Sequence, residues 1–217
     1  MNDPLVSPRY LFSFALPCRY AQKPWDKDFS TLDETYLLPD LAELETPGSR
    51  PELRAAWNES CLVFRLDVHG KKQEPWCRAT RPEDSDGLQL WIDTRNVHNV
   101  HRANRFCHRF FFLPGGEGSK GDLPSAGVLK INRTREPHGP VDEKYLNVTS
   151  EVGPQSYTLH IKIDAKALTG FDPAEHPALG FTYAVFDREL GEQTLGPGRP
   201  MPYDEDPSLW ATLDLVR

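Results

Sequence analysis

Hydrophobic and polar positions alternate with a period of two along most of this chain, which is the signature of half-buried β-strands. In CLVFRLDV, Leu62, Phe64, Leu66 and Val68 share one face, with Cys61, Val63, Arg65 and Asp67 on the other. GLQLWID places Leu88, Leu90 and Ile92 opposite Gln89, Trp91 and Asp93. RFCHRFFF puts Phe106, His108, Phe110 and Phe112 on one side and Cys107, Arg109 and Phe111 behind. SYTLHIKID, GFTYAVFD and WATLDLV alternate in the same way, led by Tyr157 to Ile163, Phe181 to Val185 and Ala211 to Leu215. Shorter patterns predict strands near Tyr10 to Ala15, Leu53 to Trp57, Val128 to Arg133 and Tyr145 to Glu151. Helical periodicity is confined to single turns at Pro39 to Glu45 and Asp164 to Leu168.

The expected fold is therefore all-β: a two-layer antiparallel β-sandwich, jelly-roll-like, with nine or ten strands and long Pro/Gly-rich loops. The loops are PGGEGSKGDLP (Pro114 to Pro124), EPHGP (Glu136 to Pro140) and GPGRPMPYDEDP (Gly196 to Pro207). Twenty prolines among 217 residues reinforce this reading, because proline removes a ladder donor and interrupts long elements. One domain over 1–217 accommodates the whole pattern, since sandwiches of this length are common as single units.

Charge narrows the partners. A formal net charge of −7 opposes nucleic-acid binding, which needs a basic surface to displace phosphate counterions. The local cluster of Arg95, Arg102, Arg105 and Arg109 beside His98, His101 and His108 suits a small anion instead. No apolar run approaches the ~20 residues of a membrane span. The N-terminal stretch lacks a basic leader and is punctuated by Pro4, Pro8 and Arg9, which points to a cytoplasmic chain whose four cysteines are reduced thiols.

Three groups of residues carry candidate chemistry. A sugar presents apolar C–H faces edged with hydroxyls, so its site needs flat rings beside amide, carboxylate or guanidinium groups. Trp76, in a polar loop with Arg78, and Trp91, beside Gln89, fit that need; Trp25, Trp57 and Trp210 read as core. The stretch Asn96 to His108 offers a polar pocket from Arg95, His98, His101, Arg105 and His108, the alternative being a solvated loop and edge strand. Cys107 and His108 are adjacent on a strand and point to opposite faces, so they do not share a zinc ion. Asp84 and Asp86 are weak calcium candidates, because D-x-D-G lacks the distal glutamate of a calcium loop. No nucleophile elbow, phosphate loop or zinc-protease motif is present, and a carboxylate pair drawn from distant strands would leave no linear trace.

Taken in order, CLVFRLDV, the loop EPWCRATRPEDSDG, DGLQLWIDTR, SYTLHIKIDAKALTG, ALGFTYAVFDRELG and LWATLDLV resemble the family 9 carbohydrate-binding modules and the wider DOMON-like sandwiches, over 54–217. The resemblance implies a non-catalytic carbohydrate binder with its ligand in a slot between two aromatic rings, mapped onto Trp76 and Trp91, and with calcium as a frequent companion. The chain departs from the family signature at Gln89, where that signature carries Glu, and in its His/Arg-rich stretch. Two alternatives stand beside this: a sandwich serving protein interaction or structure without sugar binding, and a metal- or haem-dependent sensor or enzyme built on His98 to His108.

Overall fold

The computed structural model describes residues 12–25, 32–41 and 50–217. Among these residues eleven strands run in chain order: β1 (Ala15–Tyr20), β2 (Glu52–Asn58), β3 (Cys61–His69), β4 (Gly87–Asp93), β5 (Cys107–Glu117), β6 (Leu123–Leu129), β7 (Leu146–Val152), β8 (Ser156–Asp164), β9 (Ala178–Asp187), β10 (Gly191–Thr194) and β11 (Ala211–Val216). They hydrogen-bond in the order β6-β5-β4-β9-β11-β1-β2-β3-β8-β7, with β10 paired to β9. The ends of this sheet approach each other, β6 and β5 packing beside β7, so the sheet is nearly closed. The fold is all-β and sandwich-like, with one continuous curled sheet supplying both layers.

The alternation sets the interior. Leu62, Phe64, Leu66 and Val68 of β3 face Leu88, Leu90 and Ile92 of β4 and Phe181, Tyr183 and Val185 of β9 in one core. Phe64 and Phe181 stack across the layers, ring centroids 5.9 Å apart. Burying a single Phe or Leu in this way contributes about 1.5–3 kcal/mol, so the period-two pattern fixes which face turns inward.

Three details differ from the sequence reading. The sheet is mixed, because β1 lies parallel to both β11 and β2. Among the described residues there are eleven strands: β10, a short hairpin partner of β9, carries no hydrophobic alternation and so escaped the pattern. The third concerns the Pro114–Pro124 loop, which is mostly hairpin. β5 continues to Glu117 through a bulge between Leu113 and Gly116, and β6 ends at Leu129 rather than reaching Arg133. The helical turn expected at Asp164–Leu168 appears as a 3-10 turn over Ala165–Ala167, capped by Asp164. The turn expected over 39–45 and the strand expected over 10–15 fall partly outside the described residues, and β1 starts at Ala15.

A second apolar cluster lies on the outer face of the β5-β4-β9 region. Trp91, Cys107 and Ala184 project from the strands and are covered by Ala103, Ile131, Tyr203 and Trp210 from the loops and the edge of β11. This added layer, not the central core, builds the site.

Candidate ligand-binding pocket

The loop joining β10 to β11 is rich in proline and glycine and has no sheet partners of its own for much of its length. Two indoles hold it down. Trp210 Nε1 donates to Tyr203 O at 2.7 Å, and Trp91 Nε1 donates to Asp204 O at 3.1 Å. Consecutive carbonyls of the loop are thus bonded from below. Tyr203 packs edge-on against Trp91 at 5.6 Å, and its hydroxyl donates to Glu192 Oε1 at 2.6 Å. Burial and that carboxylate push the Tyr203 phenol well above its ordinary range, so it stays a neutral donor. Asp206 caps the 3-10 turn over Pro207–Leu209 by accepting from Ser208 N.

Between this loop and the sheet lies a cavity of about 540 Å³, within the range of small-molecule sites. Its floor is Trp91 of β4, Arg109 of β5 and Phe186 of β9; its wall is the Arg199–Asp204 segment; Asn132 and Glu83 stand at the sides. Trp91 and Arg109 are directly opposed in the β4–β5 ladder, which puts both on the same face. The Arg109 guanidinium lies 5.0 Å from the centre of the Trp91 ring. Gln89 Oε1 accepts from Arg109 Nε at 3.1 Å and from Nη2 at 2.7 Å, and Lys130 O accepts from Nη1 at 3.3 Å. Burial pulls the guanidinium below arginine's ordinary value, while Asp204 and Glu83 work against that shift. It remains a cation throughout the working pH range.

The expected residues are distributed differently from the sequence reading. Trp91 is fully buried beneath Arg109 and Tyr203, so it offers no open ring face; it is a support under the pocket. Gln89 is also buried and acts through Arg109. Trp76 is half-buried but does not line this pocket: the guanidinium of Arg188 lies 4.0 Å from its ring centre and that of Arg78 4.8 Å. The two-ring slot of Trp76 and Trp91 is therefore not formed. The ring with exposed surface at the floor is Phe186, which is half-buried.

The histidine stretch does not converge. His98 and His101 are exposed, with His98 Nε2 3.0 Å from Thr212 Oγ1 and His101 Nδ1 3.1 Å from Asp206 Oδ2. Arg95 donates to Gly170 O at 2.7 Å and, with Arg105, flanks the Phe106 ring. His108 is enclosed on the opposite side of β5 from Cys107. Its Nε2 accepts from Thr169 N at 3.1 Å, which leaves Nδ1–H to donate to Phe106 O at 3.1 Å. Both ring nitrogens are occupied, and burial pushes its pKa down to about 3. His98 and His101 thus stay on the exposed surface while His108 is enclosed with both ring nitrogens bonded.

The calcium candidates part company too. Asp84 is exposed on the 3-10 turn Pro82–Asp84, whereas Asp86 is buried and its oxygens are filled. Asp86 Oδ2 accepts from Lys71 Nζ at 3.0 Å and from Trp76 N at 3.1 Å, and Oδ1 accepts from Arg188 N at 2.8 Å. Lys71 also donates to Asp187 Oδ2 at 2.5 Å. An ammonium group stands where a cation between these carboxylates would sit. Among the described residues no group of three or more His, Cys, Asp or Glu side chains forms a metal cage.

The pocket residues that the sequence reading missed are chiefly Phe186, Tyr203 and Asp204; Arg109 was read only as one member of an anion-binding cluster with Arg95, Arg102 and Arg105. One signal for Arg109 was available: a charge in the middle of an aromatic strand, RFCHRFFF, is rarely left there without a task. Nothing in the linear pattern connects it to a loop ninety residues further on.

No protein-family model matches the chain, and no curated protein matches it in sequence. Solved structures do match in shape. A family 9 carbohydrate-binding module from Caldicellulosiruptor kristjanssonii in complex with glucose is similar with a TM-score of 0.62 at 12% identity, covering 94% of this chain and 96% of that one. Its complex with cellotriose gives a TM-score of 0.61 at 12% identity and covers 93% of each chain. A Bacteroides uniformis protein provisionally described as carbohydrate-binding gives 0.54 at 14% identity, covering 94% of this chain and all of the other. The class is therefore set by shape: a sandwich with the fold of the family 9 carbohydrate-binding modules.

Proposed function

We propose that this protein is a carbohydrate-binding module-like protein whose ligand occupies the pocket between the β5-β4-β9 face and the Arg199–Asp204 wall. The observation that carries this reading is the buried Arg109 guanidinium facing a cavity that also holds the Phe186 ring. A guanidinium donates to sugar oxygens, Glu83 and Asp204 accept from hydroxyls, and an apolar ring covers C–H edges. Fold neighbours solved with glucose and cellotriose supply independent support. None of the residues assembled there forms a nucleophile–base pair, so binding without turnover is the reading they favour.

The test is calorimetric titration of the full chain with glucose, cellotriose and a panel of other mono- and oligosaccharides. Phe186→Ala should weaken binding of the best ligand about tenfold, equivalent to ~1.4 kcal/mol, while Trp76→Ala, outside the pocket, should leave it within about twofold. Equal affinity in wild type and Phe186→Ala, or no heat with any saccharide, overturns the assignment.

A further inference from the structure

Two cations are buried among the described residues, Lys71 and Arg109, and they are balanced differently. Lys71 pairs with Asp86 and Asp187. Arg109 is 7% exposed, yet among the described residues no carboxylate lies within 4 Å of its guanidinium, and its hydrogen-bond partners are the uncharged oxygens of Gln89 and Lys130. Asp204 and Glu83 act on it only from a distance, and a buried charge with no carboxylate in contact is costly and is retained where something else supplies the balance.

The geometry of Gln89 sharpens this point. Two donors from Arg109 fix which end of the amide is oxygen, so Nε2 turns away, and it is buried with no hydrogen-bond partner among the described residues. A carboxylate of almost the same shape at this position would neutralise Arg109 internally. The chain has a neutral amide there. Three of the guanidinium's five N–H groups are used; the other two, one on each terminal nitrogen, belong to a side chain that lines the cavity, and a planar fork of this kind matches a carboxylate.

Resting on the carbohydrate reading of this pocket, we propose that the preferred ligand class is acidic: saccharides bearing a carboxylate, as in uronic acids, with Arg109 as the specificity-determining residue. The anions at the pocket edge do not reverse this preference. Glu83 is exposed, so water and salt screen it over a Debye length of about 8 Å; Asp204 is half-buried and favours the Arg109 cation, but neither carboxylate is within 4 Å of the guanidinium, which acts on a ligand at contact in a desolvated floor. The second cation of the lining, Arg199, is already bonded to Glu192 at 2.5 Å.

Glucose and glucuronic acid differ only at C6, hydroxymethyl against carboxylate, and make the discriminating pair. Titration of the wild-type chain should give glucuronate at least tenfold tighter than glucose, with the advantage shrinking as salt rises. Gln89→Glu, which hands Arg109 an internal counter-ion, should bring the ratio to about one or below; Arg109→Gln should do the same, and each variant is checked for folding by its thermal unfolding curve. Equal or tighter binding of glucose by wild type overturns the acidic preference and leaves the carbohydrate reading standing. Binding of neither sugar nor of any panel saccharide removes both. An undiminished preference in a folded Gln89→Glu or Arg109→Gln protein overturns the role of Arg109.

Discussion

Lys71 is the residue whose loss should reveal most about how the loops are held. It is 2% exposed and lies between Asp86 and Asp187, themselves almost fully buried. Burial alone would lower the ammonium's pKa, but the hydrogen bonds to Asp187 and Asp86 outweigh it and leave the group above the usual lysine range. Asp86 ties the β3–β4 loop to the β9–β10 turn through Trp76 N and Arg188 N, and Asp187 closes that turn by accepting from Glu189 N and Leu190 N. Lys71→Met removes the cation and strands two carboxylates in the interior. Breaking one buried pair costs about 3–5 kcal/mol, and two stranded partners place this variant at the upper end. With a urea m-value of about 3 kcal/mol/M, the midpoint of unfolding should fall by roughly 1–2 M. Because the charges are desolvated, added salt should restore little of it. Lys71→Met combined with Asp86→Asn and Asp187→Asn should recover more than half of the loss, since the amides keep acceptors for the backbone N–H groups without charge. A midpoint shift below about 0.3 M in the single variant, or no recovery in the triple one, refutes the reasoning.

Two further outcomes follow from the same geometry. The unfolded chain protonates the His108 imidazole near pH 6.5 and the folded chain only near 3, so this group's stabilisation is complete above 6.5 and is lost as pH falls, by about 1.4 kcal/mol per unit between those values; ¹⁵N NMR should show an Nδ1–H tautomer persisting at pH 5, and a folded-state titration near 6.5 sinks the claim. Trp210→Phe removes the donor to Tyr203 O and leaves a loop carbonyl unbonded, costing about 1–3 kcal/mol and lowering Tm by roughly 2–10 °C; an unchanged Tm by differential scanning calorimetry would show that the indole does not hold the pocket wall.

The inner layer of the sandwich was legible because its large apolar side chains recur at every second position along each strand. Leu62 to Val68, Leu88 to Ile92, Tyr157 to Ile163 and Phe181 to Val185 each turn the face that the alternation assigned. Strand edges were less legible where glycine and proline continue a strand, as at Pro114 to Glu117, since composition there speaks for a turn and the ladder with β6 overrides it. The fold family came through the order of six weak segments, no one of which would have carried it.

The outer face resisted for a different reason. Period-two alternation tells which side of a strand is polar, but not whether a loop from elsewhere will fold over that side. Gln89 and Asp93 made the Trp91 face read as an accessible polar surface rather than dry core, and on a bare sheet it would be. The Gly196–Pro207 loop instead returns across it, with Tyr203 and Asp204 gripped by two indoles, and converts an open polar face into a pocket floor. The same closure explains why Arg109, rather than the half-buried Trp76 or the fully buried Trp91, is the group proposed to meet a ligand. A guanidinium that would have been solvated on an open strand is desolvated once the loop closes, and its charge then acts on whatever enters from the cavity side. On the proposed reading, a loop that carries few side chains of obvious chemistry would set specificity by removing water from a residue that belongs to the sheet.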